Sequence, residues 1–166
     1  MPRETIAWPT GLNPTEYPIH SYNELFVPAP AEAIWQQLID ARRWPEWYPN
    51  ARDLQITGPE PRLASDSAFV WKTFGVTVRS HVLVYEPFSH LGWDALEMLG
   101  WNGFHGWRII PRDGGCLVIT EEVQRGIGAG TIKGWVEKNL LSEHQHWLEG
   151  LVRQVALPSV SSSSVA

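Results

Sequence analysis

The clearest hydrophobic period in the chain lies in its C-terminal third. Apolar residues and one histidine recur there every three or four positions: Ile132, Val136, Leu140, His144, Trp147, Leu151 and Val155. This spacing places them on one face of an α-helix of about 26 residues, long enough to lie across a whole β-sheet. Pro158 ends the pattern.

The N-terminal part predicts one strand followed by a short helical region. Residues 19–27 favour a strand, which a Pro-Ala-Pro sequence then ends. The next apolar positions are Ala31, Ile34, Trp35, Leu38 and Ile39. Their spacing predicts an amphipathic helix, and Pro30 suits its first turn. Residues 42–49 are broken by prolines and predict a second short helix or turn.

Six further short runs, separated by turn residues, predict β-strands. They cover residues 52–57, 68–74, 76–85, 91–98, 104–110 and 116–124. The sequence Pro-Arg-Asp-Gly-Gly at residues 111–115 is a strong hairpin signal between the last two. Short turns between consecutive strands favour antiparallel pairing. The complete pattern predicts an α+β fold, in which a curved antiparallel sheet of about seven strands surrounds the long C-terminal helix.

The length of 166 residues fits one domain. Residues 1–18 contain four prolines and predict an extended N-terminal arm, with Trp8 and Tyr17 as its packing residues. Residues 19–157 form the predicted domain. Residues 158–166 are small and polar, and we expect them to be disordered.

Charge and composition exclude several classes of function. A net charge of −5 argues against a nucleic-acid-binding protein, which usually carries a basic face. The sequence contains no run of 18 apolar residues, so it predicts no membrane span. The N-terminus does not resemble a secretory signal. Cys116 is the single cysteine, so an internal disulfide is excluded. We therefore expect a reduced, cytoplasmic setting.

Several segments resemble one known superfamily. They are residues 27–35 (VPAPAEAIW), 44–49 (WPEWYP), 80–87 (SHVLVYEP), 105–107 (HGW) and 114–126 (GGCLVITEEVQRG). Together with the order of the predicted elements, they resemble the START-like superfamily, also called SRPBCC, and in particular its polyketide cyclase/dehydrase-like branch. The resemblance implies the helix-grip fold, with a ligand cavity between sheet and helix. Members bind lipids, sterols, polyketides or plant hormones, and some catalyse cyclisation or dehydration.

In this architecture one side of each strand faces the cavity, and alternate residues share a side. The inward sets are predicted to be Phe69, Trp71 and Thr73; Ser80, Val82 and Val84; Leu91, Trp93 and Ala95; His105, Trp107 and Ile109; and Val118, Thr120 and Glu122. In the last strand, residues 117, 119 and 121 alternate equally well, so its register stays open. Trp135, Leu140, His144, Trp147 and Leu151 are expected to approach from the helix.

The residues predicted to contact a ligand are Phe69, Trp71, Trp93, His105, Trp107, Thr120, Glu122, Trp135, Leu140, His144 and Trp147. His105 and Glu122 are the candidate catalytic residues, because a paired imidazole and carboxylate can act as general acid and base. Each candidate has a structural alternative. The pair can simply satisfy itself, His144 can lie at a solvated cavity mouth, and the tryptophans can fill the interior instead of lining a pocket.

Three functions follow from the resemblance and remain open at this point. The first is binding of a small hydrophobic or aromatic molecule in an internal cavity. The second is an enzyme of the cyclase or dehydratase type, and the third is a protein-interaction module with a filled cavity. No cofactor and no metal is expected, since His20, His81 and His90 show no metal-binding spacing. The oligomeric state cannot be read from the sequence.

Overall fold

The computed structural model describes residues 3–58, 60–97 and 100–156. In chain order the strands and helices are β1 (Ile19–Val27), α1 (Ala31–Ile39), α2 (Trp44–Trp47), β2 (Arg52–Thr57), β3 (Ala68–Thr73), β4 (Val76–Glu86), β5 (His90–Glu97), β6 (Asn102–Arg112), β7 (Gly115–Arg125) and α3 (Ala129–Ala156). The tail that the sequence predicts to be disordered, residues 158–166, lies outside the described residues.

The seven strands form one antiparallel sheet in the order β1-β7-β6-β5-β4-β3-β2. Strands β2 to β7 therefore pair with their neighbours in the chain, as expected for strands joined by short turns. Of the described strands, β1 alone pairs with a strand that is not its neighbour in the chain, β7. The arrangement confirms the predicted α+β helix-grip fold, and the element bounds lie close to those predicted.

The long helix α3 buries its C-terminal half against the sheet and the two short helices. Leu140, His144, Trp147, Leu148 and Leu151 are buried. The predicted stripe is less regular at its start, where Ile132 is 44% exposed. None of the described helices combines the length and the hydropathy that a membrane span requires.

The pairing of β6 with β7 decides the register that the sequence left open. His105 is paired with Glu122, and Trp107 is paired with Thr120. Both Thr120 and Glu122 contact residues of the inner face, whereas Glu121 points to the outer face and contacts the N-terminal residues.

For one strand residue, Val84, the predicted inward orientation is wrong. The pairing of β4 with β5 is irregular between Val82 and Val84. A bulge adds a residue to one strand and so reverses the faces of the residues that follow. Val84 accordingly packs in the outer cluster, and Tyr85 packs against the main core in its place.

Residues 3–18 cover the outer face of the sheet. Ile6 is buried there against Phe104 and its neighbours, and Trp8 and Tyr17 pack on the same cluster, as the sequence suggested. Glu121 accepts hydrogen bonds from the Thr5 hydroxyl and the Ile6 backbone N–H. The arm is therefore attached by both apolar and polar contacts.

Candidate functional site

Tryptophan side chains fill most of the space between the sheet and α3. Trp44 lies centrally, with ring centroids 5.6 Å from Trp71, 5.3 Å from Trp93 and 5.1 Å from Trp147. Trp107 packs 5.1 Å from Trp147, nearly perpendicular to it. Of the indoles predicted to form an aromatic wall, those of Trp71, Trp93 and Trp107 thus pack mainly against other tryptophans. This is the structural alternative that the sequence had left open.

A small cavity remains beside this cluster. Its volume is about 30 Å³, which gives room for about two water molecules. Trp71, Trp93 and Trp147 supply apolar parts of its wall. The interior therefore has no room for an aromatic ligand in this arrangement of side chains, and the internal ligand cavity that the sequence predicted is reduced to this small space.

Three buried polar side chains also line the cavity: His105 from β6, Glu122 from β7 and His144 from α3. The Nε2 atom of His144 lies 3.0 Å from Oε2 of Glu122. The Nδ1 atom of His105 lies 3.6 Å from the same oxygen. His105 and Glu122 therefore come together as predicted from their cross-strand positions, but the hydrogen bond of the carboxylate goes to His144. The sequence did not predict that all three would meet.

Each member of this cluster has a further polar partner. His105 Nε2 is 2.6 Å from the hydroxyl of Thr120, and His144 Nδ1 is 3.2 Å from the hydroxyl of Ser21. The side-chain amide of Gln124 donates to Oε1 of Glu122 at 2.5 Å. These contacts hold both rings and the carboxylate in fixed orientations.

Burial and neighbouring charges set the protonation of the cluster. Burial lowers the pKa of His105 to about 3, assisted by His144 and opposed by the attraction of Glu122. Burial alone would raise the pKa of Glu122, but the hydrogen bond from His144 and the nearby imidazoles lower it below its usual value. Near neutral pH the site holds a neutral His105 imidazole beside an ionised carboxylate.

The same three residues have the donor set of a metal site. Within the described part of the chain, His105, Glu122 and His144 each offer one ligand atom within 4.8 Å of the others. Two imidazoles and one carboxylate are a set that Zn²⁺ and Fe²⁺ accept. The sequence-based prediction of no metal rested only on the spacing of His20, His81 and His90.

Three other residues predicted to contact a ligand, Phe69, Leu140 and Trp135, do not line the small cavity. Phe69 is buried 5.8 Å from the ring of Trp93. Leu140 is buried in a separate cluster with Ile19. Trp135 is 70% exposed, so its predicted place inside the cavity is wrong. The first turns of α3 are largely exposed, which leaves Trp135 at the surface.

Trp135 lines an apolar surface groove between the start of α3 and the turn that joins β3 to β4. The groove has a volume of about 350 Å³, and its wall includes Phe74, Val76, Trp101 and Ile132. It shares two residues with the wall of the buried cavity, Phe74 and Gln124. The sequence did not predict this groove. A signal was available in the Phe-Gly turn, since bulky residues are unusual at hairpin tips.

The backbone of Phe74 is in an uncommon conformation. Phe74 and Gly75 have φ angles of 51° and 79°, values for which Asn and Gly are preferred. Asn50 stabilises the turn by accepting a hydrogen bond from the Phe74 N–H at 2.8 Å. The ring of Phe74 is 42% exposed at the groove. Residues held in uncommon backbone conformations cluster at active sites and ligand-binding sites.

The fold and the polar cluster beneath the long helix define the chain as a START-like, helix-grip protein. The sequence profile described as "Polyketide cyclase / dehydrase and lipid transport" matches residues 19–156. The chain belongs to this family, which confirms the resemblance seen in the sequence.

Solved structures agree with this assignment. A hypothetical protein, jhp0584, from Helicobacter pylori is 26% identical, with a TM-score of 0.83 over 92% of this chain and 97% of that chain. The di-domain ARO/CYC StfQ from the steffimycin biosynthetic pathway is 17% identical, with a TM-score of 0.68 over 82% of this chain and 50% of that chain. Truncated norcoclaurine synthase from Thalictrum flavum is 15% identical, with a TM-score of 0.66 over 84% and 94%. No curated protein matches the sequence.

Proposed function

We propose that the chain binds a small hydrophobic or aromatic molecule, with its apolar part in the surface groove and its polar end toward the buried cluster. The observation that carries this proposal is the position of the groove. Its walls are largely apolar, and Phe74 and Gln124 border both the groove and the polar cavity. The family description, which names polyketide cyclase, dehydrase and lipid transport, supports the same class of ligand.

The two volumes favour the groove over the interior as the main binding site. Ligand pockets usually measure about 300–1,000 Å³, and the groove of about 350 Å³ falls in this range. The buried cavity of about 30 Å³ is smaller by a factor of about ten. It has room only for the polar end of a ligand.

Exposed aromatic surface supplies the driving force. Trp135 is 70% exposed and Phe74 is 42% exposed. Covering about 100 Å² of indole at ~25 cal/mol per Å² contributes about 2.5 kcal/mol before ordering costs. Trp135 is therefore expected to be a major contact.

Unpaired donors near the cavity suit a polar ligand end. Among the described residues, the buried indole N–H groups of Trp93 and Trp147 have no hydrogen-bond acceptor. Both tryptophans line the cavity. A buried donor without an acceptor costs about 1–3 kcal/mol. A ligand carbonyl or hydroxyl that accepts from either group would recover part of this cost.

Calorimetry with a panel of aromatic polyketides, sterols and fatty acids tests the proposal. Replacing Trp135 with Ala should weaken binding of any ligand found by at least about tenfold, as expected from the lost apolar contact. Phe26→Ala is the matched control, because Phe26 is 46% exposed and lies outside the groove. Equal affinities for the two variants would contradict the proposed site. Native mass spectrometry of the purified protein identifies a ligand that the panel lacks.

An enzyme of the cyclase or dehydratase type is the second candidate function. The observation that favours it is the buried cluster, where a neutral imidazole of His105 lies beside the ionised Glu122. Such a pair can remove a proton from a substrate carbon and return it to an oxygen. His105→Gln should then abolish turnover of a bound polyketide while changing its affinity little. If turnover persists in this variant, His105 is not the acid–base group.

A protein-interaction module is the third candidate, and the filled interior favours it. In that case the groove would receive an apolar segment of a partner protein. The ligand panel separates this function from the first, because no small molecule would then bind. Trp135→Ala would weaken only the protein complex.

A further inference from the structure

We propose that His105, His144 and Glu122 form a binding site for one divalent transition-metal ion, such as Zn²⁺. The site goes beyond ligand binding in the groove and does not depend on it. Metal uptake by the ligand-free chain therefore tests this proposal separately from the proposed function.

The spacing of the three side chains fits a single ion. Two ligand atoms that bind one ion at about 2.1 Å, with bond angles of about 90–110°, lie about 3.0–3.5 Å apart. The carboxylate oxygen Oε2 of Glu122 is 3.0 Å from His144 Nε2 and 3.6 Å from His105 Nδ1. All three ligand atoms lie within 4.8 Å of one another. The wider separations would have to shorten by side-chain movement when the ion binds.

The outer nitrogens of both rings have hydroxyl partners, which is the arrangement that orients metal-binding histidines. The Thr120 hydroxyl can accept from Nε2–H of His105, which leaves the lone pair of Nδ1 toward Glu122. In the ligand-free chain, Nε2–H of His144 donates to Glu122 while Nδ1 accepts from the Ser21 hydroxyl. Metal binding would select the other tautomer of His144, in which Ser21 accepts from Nδ1–H and the lone pair of Nε2 faces the ion. The cation would then replace this hydrogen bond as the partner of the carboxylate.

Among the described residues, the buried carboxylate of Glu122 has no permanently charged partner. Within residues 3–58, 60–97 and 100–156, the only basic groups within 4.0 Å of Glu122 are the two imidazoles. A buried charge requires a partner to offset its lost hydration. Gln124 holds the other carboxylate oxygen, Oε1, so that Oε2 remains for the histidines. A divalent ion would supply the missing positive charge.

The cavity leaves room for further ligands on the ion. Its volume of about 30 Å³ would accept one or two water molecules beside three protein ligands. Open coordination positions distinguish catalytic metal sites from structural ones. Gln124 and Phe74 connect the cavity wall with the surface groove, which offers a path for the ion.

Metal titration of the chelator-treated full-length protein tests the proposal. Zn²⁺ binding is measured by calorimetry, and Co²⁺ binding by visible absorption, which is intense only at low coordination number. One equivalent of each ion should bind. His144→Gln should weaken binding at least about 100-fold, and Thr120→Val, which removes the partner of His105, should weaken it about 10–100-fold.

His146→Gln is the matched control, because His146 lies two residues from His144 on the same helix and is exposed. It should bind metal like the wild type. The proposal is overturned if the wild type binds no more tightly than His144→Gln, or if only His146→Gln loses binding. Circular dichroism verifies folding. If His144→Gln does not fold, unchanged affinity in a folded Thr120→Val variant overturns the proposal.

Discussion

The substitution Gly150→Ala tests how closely α3 lies against α2. A methyl group built on Gly150 would overlap the backbone carbonyl oxygen of Trp47, which cannot rotate away as a side chain can. Gly134 lies in the same helix, and a methyl group there would meet no atom within 4 Å. The same substitution therefore meets two different environments in one helix.

The expected effects have opposite signs. Alanine in place of glycine stabilises a helix interior by about 0.5–1 kcal/mol, which is the whole expected effect of Gly134→Ala. At Gly150 this gain is opposed by overpacking, which costs about 1–3 kcal/mol. A shift of α3 would also disturb the stacking of Trp147 on Tyr48, whose rings lie 4.3 Å apart. We expect Gly150→Ala to lower the free energy of unfolding by about 1–2 kcal/mol.

Urea unfolding followed by circular dichroism measures both variants. In a chain of this length, 1 kcal/mol corresponds to about 2–4 °C in Tm, so thermal unfolding resolves the difference as well. Equal stabilisation by the two substitutions would refute the reasoning. It would mean that α3 does not approach the Trp47 carbonyl, and that the interior can open more widely than the structure shows.

Three further predictions concern other parts of the fold. Trp107→Ala should destabilise the protein by about 3–5 kcal/mol, and added indole should raise the Tm of this variant but not of the wild type. Glu121→Gln should expose residues 3–18 to protease. In the wild type, burial alone would raise the pKa of Glu121, but hydrogen bonds from His20 and Thr5 outweigh it and lower this pKa. Residues 3–18 should therefore be protected from protease above the ordinary Glu pKa, and this protection should be lost as the pH falls through the lowered pKa of Glu121. Burial raises the pKa of Tyr48, so Tyr48→Phe should leave the phenolate absorbance of the folded protein between pH 9 and about 11 unchanged.

Each of these has a clear contrary result. Destabilisation of Trp107→Ala by less than about 1 kcal/mol would show that the indole cluster packs loosely. Proteolysis of Glu121→Gln at the wild-type rate would show that apolar contacts alone attach the arm. A lower phenolate absorbance in Tyr48→Phe than in the wild type would show that the Tyr48 phenol of the wild type is exposed to water.

Local sequence patterns were sufficient to predict the elements of the fold. The four- and three-residue steps from Ile132 to Val155 predicted α3, and alternation with turn residues predicted the strands. The sequence also indicated that His105 and Glu122 could approach one another across the hairpin turn, although it left open which residues of β7 face inward. These features depend on neighbours in the chain, which the sequence displays directly.

Longer-range features could not be predicted in this way. The bulge that turns Val84 outward arises from the pairing of two strands, and nothing in the alternation of β4 itself marks it. Trp135 was assigned to the interior on helical spacing alone. Its 70% exposure shows that no other element covers this turn of α3, which helical spacing cannot reveal.

The sequence by itself determined the helix-grip fold, its family and most of the strand residues that face inward, since periodicity and turn chemistry act locally. Only the tertiary structure decided how near α3 lies to the sheet. That distance determines whether the indoles line a wide pocket or pack together, and it brings His144 to Glu122. Packing of large side chains depends on gaps smaller than one methyl group, and no pattern along the chain records such distances.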